Sequence, residues 1–350
     1  MQKINFHPVR TVKNPEQLWS TISSSQSIVL VGHVNPDGDA IGSVSAMYHF
    51  LKQIGKQPFA IVPNSFPDFL SCLDPAGDPI HIYRNEKETC DSAIAACDLI
   101  ICMDMSGPAR IDEMAEAIFE GSNARRILID HHLNPVVGSF DIVISDTEVS
   151  STCELLLSLM LEAPGIEGNI GHINLDCATS IAAGFLTDTN NFANSIFPST
   201  LERVSLLLKR GVDRDYLYNE IFCSYSAARM ELMGHLLSEK MTIIQGGSVA
   251  FIILDKAEKE KYSFHTGDSE GFVNLPLKIR EVKMSALLTE DDGFVKVSLR
   301  SKGNLDVNLF SRQYCNGGGH RNASGGRLYI GIDETAAYFT ASVEDYFKKA

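Results

Sequence analysis

The chain has 350 residues, 44% of them hydrophobic and 21% charged, the make-up of a globular protein with one large or two ordinary domains. A net charge of −14 argues against a general binder of long nucleic acid, which would carry a basic face. No apolar run reaches membrane-spanning length, residues 1–13 lack the apolar core of a secretion signal, and the eight Cys form no Cys-x-x-Cys pair, so reduced thiols and a cytoplasmic location are expected.

Ser27-Ile28-Val29-Leu30-Val31 reads as a buried strand, and Ile41, Val44, Tyr48 and Leu51 recur at helical spacing up to a stop at Gly55. The loop between them carries His33, Asp37 and Asp39, on the carboxyl side of the strand, where open α/β sheets bind ligands. Gly38 is expected to supply an unusual backbone angle there. Two carboxylates this close repel unless a cation sits between them. A plain Asn-Pro-Asp-Gly turn with Asp39 as helix cap is the structural alternative, but it leaves His33 unexplained.

Pro58–Val62 reads as a second strand. Residues 98–104 are an apolar run ending in Asp104, the pattern of a strand buried on both faces, and residues 126–132 repeat it, ending in Asp130-His131-His132. A further strand is expected at residues 141–144, and helices at residues 89–96, at 111–119 and over Thr152–Leu161. The alternation predicts βαβ units and a mostly parallel sheet. Ser150-Ser151-Thr152 reads only as a helix cap. Residues 173–186, rich in Ala, read as a packed helix that delivers Asp188 just beyond its end.

After about residue 200 the pattern changes. Helices are expected at residues 201–209 and 227–239, then hairpins over 242–254 and 282–300, a strand at 328–330 and a closing helix at 334–348, which together make a smaller α+β domain. Asn316-Gly317-Gly318-Gly319-His320 is a glycine run whose N–H groups can approach an anion, although it lacks the endings of nucleotide-binding loops. Residues 296–327 hold six Lys/Arg (296, 300, 302, 312, 321, 327) against one acid, Asp306, a confined anion site in an acidic chain.

His33, Asp37, Asp39, Asp104, Asp130, His131, His132 and Asp188 come from four segments to one predicted sheet edge. Carboxylates with imidazoles and no thiolate suit Mn²⁺ or Mg²⁺, in numbers sufficient for two ions of the kind that activate water in phosphoryl transfer.

These motifs, in this order over residues 15–345, resemble the DHH phosphoesterases, and the glycine run resembles the GGGH motif of their DHHA1 domain; the layout is similar to the nanoRNase/pAp-phosphatase branch. The resemblance implies a DHH domain over residues 1–205, a helical linker at 206–235 and a DHHA1 domain at 236–350. It implies two Mn²⁺, with Mg²⁺ or Co²⁺ as substitutes. His33, Asp37 and Asp104 would hold one ion, and Asp39, Asp104, His131 and Asp188 the other. Asp130 would orient an imidazole, His132 would face the phosphate, and Arg300, Gly318, Gly319 and His320 would grip a terminal phosphate across an interdomain cleft. Asn190 stands where the family commonly has Gly. The expected substrates are short 5′-phosphorylated oligoribonucleotides and the bisphosphate pAp, with no long duplex and no membrane as partner and a homodimer as the expected assembly. A linear or cyclic dinucleotide phosphodiesterase (pApA, c-di-AMP) is the alternative, followed by a pyrophosphatase or exopolyphosphatase and by a non-catalytic sensor.

Overall fold

The computed structural model describes residues 11–14, 17–265 and 267–349, so residues 1–10 of the stretch expected to lack a secretion signal lie outside the described residues. The chain separates into two compact units, the second beginning at Tyr225.

The first unit is built on a seven-stranded sheet of β1 (Thr11–Lys13), β2 (Ile28–Val31), β3 (Pro58–Val62), β4 (His81–Ile82), β5 (Leu99–Met103), β6 (Arg125–Asp130) and β7 (Ile142–Ser145). Its order is β1-β7-β6-β5-β2-β3-β4, all parallel except the edge strand β1. Helices α1 (Leu18–Ser24), α2 (Gly38–Gln53), α3 (Lys87–Ala96), α4 (Met114–Phe119), α5 (Thr152–Leu161), α6 (Leu175–Asp188), α7 (Pro198–Arg210) and α8 (Arg214–Phe222) complete it. Strands β2 and β5 and the Ile127–Ile129 stretch of β6 are apolar throughout because both faces are covered. Leu30, Ile101 and Ile129 pack with α2, α5 and α6, while Val31, Cys102 and Leu128 pack with α3 and α4.

From β2 the chain runs outward to β3 and β4, then returns to β5 and runs the other way through β6 and β7. The reversal between β2 and β5 is a topological switch point, and it opens a crevice at the carboxyl ends of these strands. Among the described residues, no helix is long and apolar enough to cross a membrane.

The second unit holds a mixed sheet of β8 (Met241–Ile244), β9 (Val249–Leu254), β10 (Met284–Glu290), β11 (Val295–Ser301), β12 (Gly318–Gly319) and β13 (Ala323–Leu328), in the order β12-β13-β11-β10-β9-β8. Its helices are α9 (Ala227–His235), α10 (Lys256–Lys261), α11 (Val307–Tyr314) and α12 (Ile332–Lys349). Both expected hairpins are present, and β9 pairs β10 in parallel.

Three local expectations are corrected. The last strand is Ala323–Leu328 rather than 328–330, so it begins five residues earlier and takes in Gly325 and Gly326. Close approach requires a glycine here: a Cβ at Gly326 would stand 2.3 Å from the Cys315 carbonyl oxygen, and one at Gly317, before β12, 1.9 Å from that of Gly325. Helix α4 begins at Met114 rather than at 111, after a short 3₁₀ turn at Pro108–Arg110. The helix expected to reach 239 ends at His235 and passes into a π turn, Leu236–Lys240.

Candidate metal centre

Each strand end at the switch point supplies part of one cluster. His33 follows β2, Asp104 follows β5, and β6 ends in Asp130 with His131 and His132 after it. Asp37 caps α2, accepting from the N–H groups of Asp39 and Ala40, both at 3.1 Å; the cap is therefore Asp37 rather than Asp39, which lies in the first turn. Gly38 is helical and not at positive φ. Its hydrogen makes room for α6, since a Cβ there would stand 2.3 Å from Thr187 Cγ2. Asp188 is the last residue of α6, not a loop residue beyond it.

The ligand atoms form two groups that meet at Asp104. His33 Nε2 lies 3.3 Å from Asp104 Oδ2 and 3.7 Å from Asp37 Oδ1. On the other side, His131 Nε2 lies 3.6 Å from Asp104 Oδ1, 3.8 Å from Asp39 Oδ2 and 3.3 Å from Asp188 Oδ2. Octahedral ligands at about 2.1 Å from an ion stand roughly 3 Å or more from one another. Separations of 3.3–3.8 Å are compatible with donors that share such an ion. His33 is held for that use: its Nδ1 donates to the Val34 carbonyl at 2.8 Å, leaving Nε2 for the cluster. Asp130 accepts from His132 Nδ1 at 2.8 Å through Oδ1, while its buried Oδ2 has no hydrogen-bond partner.

Asp104 sits at φ 58°, a left-handed conformation in which Asp and Asn are the best tolerated residues after Gly. Its N–H donates to the Ile129 carbonyl at 3.0 Å, which ties the kink to the neighbouring strand. Local strain of this kind gathers at functional sites.

Burial and close contact between these groups shift their protonation in opposite directions. Burial alone would lower the pKa of His33, but hydrogen bonds to Asp104 and Asp37 override it and raise it to about 10. Burial pushes the Asp104 carboxyl up, and the imidazoles of His33, His132 and His131 more than reverse that, holding it low. Burial, with Asp104 and Asp37 as neighbours, pushes Asp39 well above the usual carboxylate range. His131 is lowered by burial and by His132, whereas His132 is raised despite burial by its bond to Asp130.

Two contributors escaped the sequence reading. The α5 cap at Ser151 is as expected, accepting from Glu154 N, but the next residues do more. The N–H groups of Thr152 and Cys153 donate to Asp39 Oδ2 and Oδ1 at 2.6 and 2.9 Å, and Thr152 Oγ1 donates to Asp104 Oδ1 at 3.0 Å. A helix N-terminus favours such anions. The available signal was Glu154, an acid three residues after the cap in an otherwise apolar helix. The second is Arg110, whose carbonyl accepts from Val34 N–H at 2.7 Å and whose charge opposes protonation of both His33 and His132.

In the second unit, Arg300 lies on β11 opposite Ala323, and His320 N–H donates to the Ala323 carbonyl at 2.7 Å across the turn joining β12 to β13. The Gly319 N–H donates to Asn308 Oδ1 at 3.0 Å. Among the described residues, none of the six cations between 296 and 327 is ion-paired with a carboxylate. Asn190 lies at φ 48°, a left-handed backbone that Asn tolerates better than most residues other than Gly.

The sequence matches the DHH family, N-terminal domain, over residues 27–185 and the DHHA1 domain over residues 246–349. It is 31% identical over 316 residues to the bifunctional oligoribonuclease and PAP phosphatase NrnA of Thermus thermophilus, covering 89% of this chain and 86% of that protein. It is 28% identical over 318 residues to the protein of the same name in Bacillus subtilis, covering 89% and 93%. An exopolyphosphatase-related protein from Bacteroides fragilis superposes with a TM-score of 0.86 at 40% identity, over 95% of this chain and 96% of that one.

Proposed function

Because the chain belongs to the DHH phosphoesterase family and carries a DHHA1 domain, we propose that it is a Mn²⁺-dependent phosphohydrolase of short nucleotides. It cleaves short 5′-phosphorylated oligoribonucleotides to mononucleotides and removes the 3′-phosphate of pAp. The observation that carries the reading is the pair of ligand groups sharing Asp104, whose two oxygens face His33 and His131. The names of the NrnA relatives support the substrates, and the six cations without acidic partners in an acidic chain support a small, anionic one.

His33, Asp37 and Asp104 would hold one ion, and Asp39, Asp104, His131 and Asp188 the other. When bound, such ions lower the pKa of water and neutralise phosphoryl charge. The protein's own groups then have distinct tasks. Asp104 presents both oxygens in a fixed orientation because its backbone is tied to Ile129 and Oδ1 to Thr152. Asp130 accepts from His132 Nδ1 and raises the pKa of the ring, favouring the imidazolium, whose second proton, on Nε2, can be donated to a phosphoryl oxygen or to the leaving group. Arg300 and His320 recognise the terminal phosphate.

Three outcomes test this. With purified protein and Mn²⁺, a 5′-phosphorylated dinucleotide should yield mononucleotides and pAp should yield AMP, with an oligomer of about twenty residues left largely intact. Phosphate release from polyphosphate or pyrophosphate alone would overturn the substrate, and c-di-AMP as the sole substrate would favour the cyclic dinucleotide alternative. Arg300→Ala should raise KM for substrates with a terminal phosphate about 10- to 100-fold, the worth of a charged hydrogen bond; an unchanged KM would sink the assignment. Finally, His33 must lose its proton to bind a cation, and its pKa of about 10 leaves it protonated at neutral pH. Mn²⁺ affinity should therefore climb between pH 6 and 8, with proton release seen calorimetrically in buffers of differing ionisation enthalpy. A pH-independent affinity would contradict it.

A further inference from the structure

We propose that Glu154, locked by Arg203, is a positioning residue for the metal ligands, acting through the first turn of α5. The inference rests on the metal-binding reading of the site. Glu154 is completely buried, yet its carboxylate receives five donors. Oε2 accepts from Ser150 N at 3.0 Å, Ser150 Oγ at 2.7 Å and Thr200 Oγ1 at 2.7 Å; Oε1 accepts from Ser199 Oγ at 2.8 Å and Arg203 Nη1 at 3.2 Å. Arg203 Nε in turn donates to Ser158 Oγ at 2.8 Å, and that hydroxyl donates to the Glu154 carbonyl at 2.9 Å.

The network spans α5 and α7, but its effect falls on the turn before α5. The carboxylate reaches back to Ser150, while Ser151 Oγ accepts from Glu154 N at 3.1 Å, so residues 150–152 are held from both sides. The next donors along the chain are the Thr152 N–H, the Thr152 hydroxyl and the Cys153 N–H, which hold Asp39 and Asp104. A buried ion pair is a poor source of net stability compared with apolar packing of the same volume. What this one supplies is a fixed helix N-terminus, and through it the aim of a carboxylate from each ligand group.

The test compares the full-length wild type with Glu154→Gln, Thr200→Val, Asp104→Asn and a control, Leu217→Ala, buried in α8. Mn²⁺ affinity is measured by titration calorimetry, thermal unfolding without metal is followed by circular dichroism, and kcat and KM are taken at low and high Mn²⁺. Glu154→Gln should weaken Mn²⁺ binding about tenfold or more, as loss of a group supporting metal ligands does. KM should stay the same and kcat should recover at high Mn²⁺. Leu217→Ala should lower the melting temperature and leave Mn²⁺ affinity alone. If Glu154→Gln behaves like Leu217→Ala, the inference is overturned. Should Glu154→Gln not fold, Thr200→Val, which removes one donor of the five, is judged by the same two readouts. A wild type without saturable Mn²⁺ binding overturns the metal reading and this inference with it. Binding lost in Asp104→Asn but unchanged in the Glu154 and Thr200 variants overturns this inference alone.

Discussion

Asp104→Asn is expected to retain the fold and lose at least about a thousandfold in kcat. Asp104 is the residue shared by both ligand groups, so its loss disturbs both at once. Metal-supplied charge stabilisation is worth several kcal/mol, and about 4 kcal/mol corresponds to a factor of roughly 10³. Asn is the right replacement because the position lies at φ 58°, where a short polar side chain is tolerated. Asp104→Ala should lose as much activity and, in addition, cost about 1–2 kcal/mol in stability from the left-handed backbone. Steady-state kinetics with thermal unfolding separate the two effects. Activity within tenfold of wild type in Asp104→Asn would remove Asp104 from its bridging role.

Gly184→Ala is expected to destabilise the first unit by about 1–3 kcal/mol through overpacking. A Cβ there would stand 2.3 Å from Cys153 Sγ and 2.6 Å from Asp39 Oδ1, so helix α6 could not keep its approach to α5 and α2. For a unit of this size the melting temperature should fall on the order of 5 °C. Because Asp39 is one of the atoms displaced, Mn²⁺ affinity should fall too. Gly234→Ala, on α9 with no heavy atom within 4 Å of the added carbon, should be neutral or stabilising by up to about 1 kcal/mol. Differential scanning of the two variants decides it. Equal shifts would mean that the α5–α6 approach is looser than the structure shows.

The contrast between these glycines also explains what was legible in the sequence. Strands β2, β5 and the Ile127–Ile129 stretch of β6 could be read because burial on both faces makes these runs apolar, and the acidic and imidazole residues that follow stand out against them. Helix α2 declared itself by periodicity and α5 by its Ser cap. Gly38 misled, because a glycine required by a neighbouring side chain looks, in sequence, like one required by a turn. Thr152 was missed for a similar reason. Its hydroxyl follows a Ser-Ser cap, while its partners Asp39 and Asp104 lie 113 and 48 residues away. Strand β4, two residues long, and the edge strand β1, three residues long, carry too little pattern to be seen. Asp188 was placed beyond its helix because the apolar run stops at Leu186, whereas the hydrogen-bonded turns continue through Asp188. The motif residues were found by their chemistry; the groups that hold them in place were found only by distance.

The most direct measurement is the number of Mn²⁺ bound per chain at equilibrium, taken with the electron paramagnetic resonance spectrum of the loaded protein. The account predicts two ions per wild-type chain, with the exchange-coupled signal of a bridged pair, and loss of that coupling in Asp104→Asn. A single ion, or two uncoupled ions indifferent to Asp104, would contradict a centre built around that residue.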